Sequence, residues 1–324
     1  MNVRRLIPTA AVAATAALGL TALTACSSSS SSDGAGHADG GKLNVVASFY
    51  PMTFLAEEIG GSHVSVTTLT KPGVEPHDLE LSPKQIGGLG DADYILFLKG
   101  VQPAVDDAVG QAGVKNTVDA AGFTTLENHG SEVGGHDHGH AEGEEHGDEE
   151  AGRDPHIWLD PVKYAEVAEG VGKSLEKADP DHAADYRKNT TALVGRLDAL
   201  DTAYENGLKT TATRTFVTTH SAFGYLAERY GLTQEGIAGL DPETEPSPAR
   251  IGEIHSVAEK NKATTVFFET LASDRTAKTL AKDLGLKTDV LDPLEGITGT
   301  SKGADYLEVM TSNLAALQKA LGAK

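Results

Sequence analysis

Cysteine is almost absent from this sequence, which has only Cys26 among 324 residues. A single cysteine cannot form a disulfide bond within the chain, so a fold held by disulfides is excluded. Basic residues are also few, because 27 Lys and Arg stand against 47 Asp and Glu, for a formal net charge of −20. So acidic a chain is poorly suited to bind nucleic acid or an anionic surface, since both are themselves negatively charged.

Long apolar runs are scarce as well, and the clearest one lies at the amino terminus. Arg4 and Arg5 precede an Ala-rich run at 6–23 that is too short and too weakly apolar for a membrane-spanning helix. This pattern is typical of a secretory signal peptide. The phrase L-T-A-C that ends at Cys26 resembles a lipobox, where cleavage before the cysteine is followed by lipidation of its thiol. We therefore expect a signal peptide at 1–25 and a lipid anchor at Cys26, on the extracytoplasmic face of the cell membrane.

The remaining chain predicts two folded lobes. Residues 26–41 are rich in Ser and Gly and predict a flexible tether. Beyond them, β-branched runs alternate with helical patterns in two separate halves, as in parallel sheets covered by helices. Between the halves, apolar residues recur at three- and four-residue spacings over 181–210, which predicts one long helix. The predicted fold class is α/β, with two similar parallel-sheet lobes at 42–180 and 211–324 and a rigid linker helix at 181–210.

The alternation predicts the following elements. In the first half, strands are expected at 43–50, 64–70, 94–98 and 116–118, and helices start near 51, 82 and 103. Helices are then expected at 161–178 and 181–209. In the second half, strands are expected at 215–219, 264–268 and 287–291, with helices at 222–230, 247–261, 274–284 and 302–321.

Three histidines lie in ordered-looking phrases near predicted strand ends or between prolines. His77 follows the second strand in E-P-H-D-L-E, His220 directly follows the strand at 215–219, and His156 lies in D-P-H-I-W-L-D-P. Ligands of open α/β sheets bind beyond the carboxyl ends of the strands, where His77 and His220 are expected, one in each lobe. Neutral imidazole is a ligand for zinc, copper, iron or nickel.

Three imidazoles and one carboxylate would complete a four-coordinate zinc site. The loop after the last strand, L-D-P-L-E-G, offers two candidates for the carboxylate, Asp292 and Glu295. The alternative for each histidine is a hydrogen-bonded or solvent-facing position without a ligand role. His63, His182 and His255 are predicted to be a turn residue, a helix-start residue and a helix-face residue, and no functional role is assigned to them.

Four phrases together resemble one protein family, the cluster A-I metal-binding lipoproteins of ABC transporters, and most closely its zinc-specific branch. They are E-P-H-D-L-E at 75–80, D-P-H-I-W-L-D-P at 154–161, T-H-S-A-F-G-Y-L at 219–226 and L-D-P-L-E-G at 291–296. The resemblance extends over nearly all of 43–321. It implies two α/β lobes bridged by a long helix and one metal ion between them, held by His77, His156, His220 and an acidic residue, for which we expect Glu295.

The resemblance also implies a function. A protein of this family captures Zn²⁺ as a transported ligand and delivers it to an ABC transporter permease, without catalysis, and we expect this chain to act as a monomer. Manganese-binding members commonly have Glu at the third position, so His220 favours zinc. Because Gly296 follows Glu295, that carboxylate is expected to be the most easily released ligand. Glu295→Ala should then weaken zinc binding less than the loss of His77 or His156.

Three alternatives to zinc transport remain open at this stage. They are a manganese-binding member of the family, a secreted zinc hydrolase, and a cell-adhesion protein or interaction module in which zinc is structural. A hydrolase would need an activated water on the metal, but the sequence has no H-E-x-x-H pair, and Thr219–Ser221 lacks the context of a nucleophile elbow.

Residues 127–153 interrupt the first lobe with a tract that is nearly free of apolar side chains, so we expect it to be disordered. It contains His136, His138, His140 and His146 among acidic residues, with His129 near its start. Alternating histidine and carboxylate can chelate zinc loosely. The tract is therefore interpreted either as a zinc scavenger or as a solubilising insertion with incidental affinity.

Overall fold

The computed structural model describes residues 41–129 and 153–324. The predicted signal peptide, the anchor at Cys26, nearly all of the tether and the tract histidines at 136, 138, 140 and 146 lie outside these residues. Within the described part of the chain, every helix is too short or too polar to cross a membrane.

The first lobe is a parallel sheet with helices packed on it. Its elements are β1 (Leu43–Ala47), α1 (Tyr50–Gly60), β2 (Val64–Thr68), α2 (Pro83–Gly90), β3 (Tyr94–Phe97), α3 (Pro103–Ala112), β4 (Thr117–Asp119) and α4 (Pro161–Ala178). The strand order is β2-β1-β3-β4 and all pairs are parallel. Val45 of β1 aligns with Val66 of β2 on one side and with Tyr94 of β3 on the other. A strand flanked on both sides and covered by helices is buried, which explains the apolar run in β1.

The second lobe repeats this topology. Its elements are β5 (Thr215–Thr218), α6 (Gly224–Arg229), β6 (Thr233–Gly236), α7 (Pro248–Lys260), β7 (Thr265–Phe268), α8 (Arg275–Leu284), β8 (Lys287–Val290) and α9 (Tyr306–Leu321). The strand order β6-β5-β7-β8 is the counterpart of the order in the first lobe, and again all pairs are parallel. The prediction of two similar parallel-sheet lobes is therefore confirmed.

Two details of the second lobe differ from the sequence-based prediction. Strand β6 was not predicted, because Thr-Gln-Glu-Gly has neither an apolar alternation nor a β-branched run. It forms because its backbone pairs with β5 at the sheet edge, where Phe216 aligns with Gln234. Helix α9 begins four residues later than the expected start at 302, because the side chain of Asp305 caps it by accepting the amide N–H of Glu308 at 2.9 Å.

A long helix, α5 (Ala183–Leu208), links the lobes and shares its core with both. Leu193, Leu197 and Tyr204 of α5 are fully buried in one apolar cluster that contains Leu43 of the first lobe and Phe216 of the second. The hydroxyl of Tyr204 also donates to a backbone carbonyl of α9, at 2.7 Å. Separating the lobes would expose this apolar surface to water, at a free-energy cost of about 25 cal/mol for each Å² exposed. Small loop movements are therefore favoured over wide hinge opening.

Candidate metal centre

Four side chains from separate loops converge in the described part of the chain. They are His77 after β2, His156 before α4, His220 directly after β5, and Glu295 after β8. Each offers one ligand atom, and these atoms all lie within 4.8 Å of one another. His156, His220 and Glu295 are buried, whereas the side chain of His77 is 10 % exposed. The parallel topology explains the meeting point, because the carboxyl ends of the strands lie on one edge of each sheet.

The carboxylate of Glu295 lies at the centre of the three imidazoles. Its Oε1 atom is 3.4 Å from Nε2 of His77, 3.5 Å from Nε2 of His156 and 3.3 Å from Nε2 of His220. Ligands about 2.0–2.1 Å from a tetrahedral zinc ion are separated from one another by about 3.3–3.4 Å. The three distances from Oε1 of Glu295 therefore match the ligand–ligand separation of a tetrahedral zinc site.

Two further carboxylates orient the buried imidazoles. Nδ1 of His156 lies 2.7 Å from Oδ1 of Asp154, and Nδ1 of His220 lies 2.5 Å from Oε1 of Glu269. When each Nδ1–H donates to its carboxylate, each Nε2 presents its lone pair to the centre. In agreement with this arrangement, Nε2 of His156 and Nε2 of His220 are buried without a hydrogen-bond partner.

The segment around His156 is fixed by its own side chains. Asp154 also accepts the backbone N–H of His156 at 2.9 Å, and a single 3-10 turn at Ile157–Leu159 follows. Asp160 then caps α4 by accepting the N–H of Val162, at 2.9 Å. The two prolines of the D-P-H-I-W-L-D-P phrase thus flank a short turn that holds the imidazole in place.

The loop that carries Glu295 is also fixed by hydrogen bonds to one of its own side chains, that of Asp292. Asp292 accepts the N–H of Leu294 at 2.9 Å and the hydroxyl of Thr270 at 3.1 Å, so its carboxylate binds its own loop. Leu294 adopts a left-handed conformation with φ of 59°, which turns the chain sharply before Glu295. The side chain of Glu295 that follows this turn is fully buried.

Buried charges shift the proton affinities in this centre. Burial would raise the pKa of Glu295, but His156, His220 and His77 outweigh it and hold that pKa well below the ordinary value. Burial would likewise lower the pKa of His220, but the charge of Glu269 raises it well above the ordinary value. Burial, followed by the charge of Glu295, raises the pKa of Glu75. Without metal, His220 therefore favours imidazolium and Glu295 favours carboxylate, and a cation that binds Nε2 of His220 must displace its proton.

Sequence reasoning missed three acidic residues of this centre, Asp154, Glu269 and Glu75. The carboxylates of Glu75, Glu269 and Glu295 approach one another within 4.8 Å. Glu269 directly follows β7, so the strand-end rule that selected His77 and His220 would also have selected it. Asp154 lies two residues before His156, a spacing that allows one carboxylate to accept both the backbone N–H and Nδ1–H.

The histidines without a predicted role lie elsewhere. His63 and His182 stack on each other with ring centroids 4.0 Å apart, and Nε2 of His63 contacts Asp185 at 2.9 Å. His255 lies within α7.

The letters G-x-S-x-G do occur once, at 299–303. They lie in the turns between β8 and α9, where Ser301 accepts the N–H of Thr298 at 3.2 Å. A nucleophile elbow follows a strand directly and opens a helix, so this segment lacks that geometry.

Comparison with known proteins identifies related sequences. The sequence model of the family described as "Zinc-uptake complex component A periplasmic" (ZnuA) matches residues 45–320. The zinc-binding lipoprotein AdcA of Streptococcus pneumoniae is 40% identical over 286 residues, which cover 86% of this chain. The chain spans only 56% of that lipoprotein's length. The high-affinity zinc uptake system protein ZnuA of Bacillus subtilis is 36% identical over 301 residues, covering 89% of this chain and 90% of that protein.

A solved structure shares the fold. The crystal structure of the Zn(II)-bound ZnuA-like domain of Streptococcus pneumoniae AdcA superposes with a TM-score of 0.71 at 36% identity. The match covers 87% of this chain and 99% of that domain.

Proposed function

This chain belongs to the ZnuA family of zinc-uptake components, and on that premise we propose that it captures Zn²⁺ outside the cytoplasm and delivers it to an ABC-type permease. The proposed ligands are His77, His156, His220 and Glu295. The observation that carries the proposal is the convergence of three Nε2 atoms on one carboxylate oxygen at 3.3–3.5 Å.

The ligand chemistry favours zinc over manganese. Imidazole nitrogen is a borderline ligand that suits Zn²⁺, whereas Mn²⁺ prefers oxygen ligands. Three nitrogens and one oxygen therefore fit zinc better. Four protein ligands would fill a tetrahedral coordination sphere and leave no position for an activated water, which supports capture rather than hydrolysis.

The exposure of the ligands suggests the route of the ion. His77 is the least buried ligand, with a side chain that is 10 % exposed, whereas His156 and Glu295 are fully buried. A hydrated ion approaching the cleft would meet His77 first and lose its waters as the buried ligands replace them. Because the lobes share one core through α5, we propose that release to the permease involves movement of the loop that carries His77.

The location of the protein is part of the same proposal. A signal peptide at 1–25 and lipidation of Cys26 would tether the chain to the extracytoplasmic face of the membrane. Anchoring beside the permease would raise the local concentration of loaded protein. Lobes at 42–180 and 211–324 with a linker at 181–210 remain the proposed organisation.

The decisive experiment is reversible metal removal. The full chain is stripped with a chelator and titrated with Zn²⁺ and then with Mn²⁺, and circular dichroism is recorded throughout. We expect the stripped protein to stay folded, to regain one tightly bound Zn²⁺, and to bind Mn²⁺ far more weakly. Collapse of the fold on stripping would indicate a structural metal, and equal affinity for both ions would contradict zinc selectivity.

The role of Glu269 gives a second prediction. Glu269→Ala removes the carboxylate that orients Nδ1 of His220, so zinc affinity should fall by about 10–100-fold without the loss of any ligand. Glu269→Gln keeps an acceptor oxygen and should retain much of the affinity. The matched control is Glu205→Ala, on the exposed side of α5. If Glu269→Ala and Glu205→Ala bind zinc equally well in a chelator competition, the orienting role is wrong.

A further inference from the structure

A second group of ligand-type side chains lies outside the buried centre. Glu127, His129 and Glu228 each offer a ligand atom, and these atoms lie within 4.8 Å of one another. Nε2 of His129 is 2.7 Å from Oε2 of Glu228. We propose that these three side chains form a second Zn²⁺ site, which takes the ion from solvent and has no ligand in common with the four-ligand centre.

The backbone just before His129 is held by two hydrogen bonds to Glu127. The N–H of Asp154 donates to the carbonyl of Glu127 at 2.9 Å. The N–H of Glu127 donates to the hydroxyl of Tyr225 at 2.7 Å. The imidazole of His129 then packs edge-on against the ring of Tyr225, with centroids 4.5 Å apart. The ligand is therefore positioned before any metal binds.

Gly224 leaves the space that His129 needs. A Cβ atom at Gly224 would lie 2.3 Å from Cβ of His129, closer than packed carbon atoms approach. Only glycine at this position allows the helix α6 and the His129 side chain to come together. This close packing indicates that the side chain of His129 has a defined position at this surface.

Asp154 provides the independent observation that points to a metal. Its carboxylate is completely buried, and its two oxygens face two different histidines. Oδ1 is 2.7 Å from Nδ1 of His156, whereas Oδ2 is 3.4 Å from Nδ1 of His129. Neither Oδ2 of Asp154 nor Nδ1 of His129 has another partner. A metal on Nε2 of His129 would fix the proton on Nδ1 and complete this contact, as metal-bound histidines do with carboxylates.

The surroundings favour a cation but limit its affinity. The site opens into a cavity of about 960 Å³ that is lined by four glutamates, Glu127, Glu228, Glu235 and Glu253. Two of them, Glu235 and Glu253, are paired with Arg250 at 3.1 and 3.4 Å, so Glu127 and Glu228 are the carboxylates that attract a cation. Lys163 binds the carboxylate of Glu127 at 2.7 Å and would compete with a metal for it. The side chain of Glu228 is 58 % exposed, so solvent screens its charge. We therefore expect weaker binding here than at the buried centre.

The test must separate this site from the acidic tract. The four tract histidines, at 136, 138, 140 and 146, are changed to Gln in the full chain, and the protein is titrated with Zn²⁺ alone against a chromophoric chelator. We expect one tight and one weaker equivalent. His129→Ala in this background should weaken the second equivalent by at least about tenfold, and Glu228→Gln should weaken it as well. The control His255→Ala should keep both equivalents.

The proposal of a second site and the proposed function can be refuted separately. If the background protein binds a single equivalent, or if His129→Ala leaves both unchanged, the second site is wrong and the proposed function stands. If His220→Ala leaves the tight equivalent unchanged, the proposed function is wrong and the second site stands. Anomalous diffraction from zinc-soaked crystals should give a peak about 2.0–2.1 Å from Nε2 of His129, and no peak there would overturn the proposal.

Discussion

Replacing His156 by alanine is expected to lower zinc affinity by about two orders of magnitude or more. A four-ligand zinc site binds with about 10–16 kcal/mol, which is about 3 kcal/mol per ligand, and about 1.4 kcal/mol corresponds to a tenfold change. The change has a second cost, because Asp154 is fully buried and would lose the imidazole that its Oδ1 atom holds at 2.7 Å. Competition against a chelator of known affinity measures the effect directly.

Glu295→Ala provides the comparison for this experiment. It leaves three imidazoles around the ion, and three histidines with a water molecule are themselves a known zinc site. The loss should therefore be smaller than for His156→Ala, which is the same order that the position of Gly296 after Glu295 predicts. His255→Ala, on α7, should leave the affinity unchanged. Equal losses for His156→Ala and Glu295→Ala would contradict this order.

Replacing Trp158 by alanine is expected to destabilise the metal-free protein by about 3–5 kcal/mol. The indole is fully buried and packs edge-on against Phe49, with ring centroids 5.0 Å apart. Its Nε1–H donates to the carbonyl of Pro293 at 2.7 Å, which ties the His156 segment to the loop that carries Glu295. We therefore expect the variant to lose zinc affinity as well as stability. Chemical denaturation of stripped protein gives the first quantity, and chelator competition gives the second.

The variant Trp158→Phe distinguishes the packing of the indole against Phe49 from its hydrogen bond to Pro293. The phenyl ring keeps most of the contact with Phe49 but leaves the carbonyl of Pro293 without its donor, which costs about 1–3 kcal/mol if the group stays buried. Its loss of stability should therefore be smaller than that of Trp158→Ala, while zinc affinity still falls. An unchanged denaturation midpoint for Trp158→Ala would show that the indole does not join the two loops.

Local patterns in the sequence were sufficient to predict most of the fold. Apolar runs such as Leu43–Ala47 predict buried parallel strands, because both faces of such a strand are covered. Helix α4 was predicted with the bounds that the structure shows, since Pro161 opens it and Asp179-Pro180 ends it. Strand β6 was not predicted, because its composition is not typical of a strand and it forms through backbone pairing with β5.

The sequence by itself determined which residue types stand at the loop positions, namely three histidines near strand ends or prolines and two acids after β8. Only the tertiary structure shows which of those acids lies beside the imidazoles. Asp292 binds the N–H of Leu294 and the hydroxyl of Thr270, whereas Glu295 reaches the three imidazoles. The same holds for Asp154, which faces His156 and His129 at once. Such choices depend on where separate loops meet in space, and spacing along the chain does not contain that information.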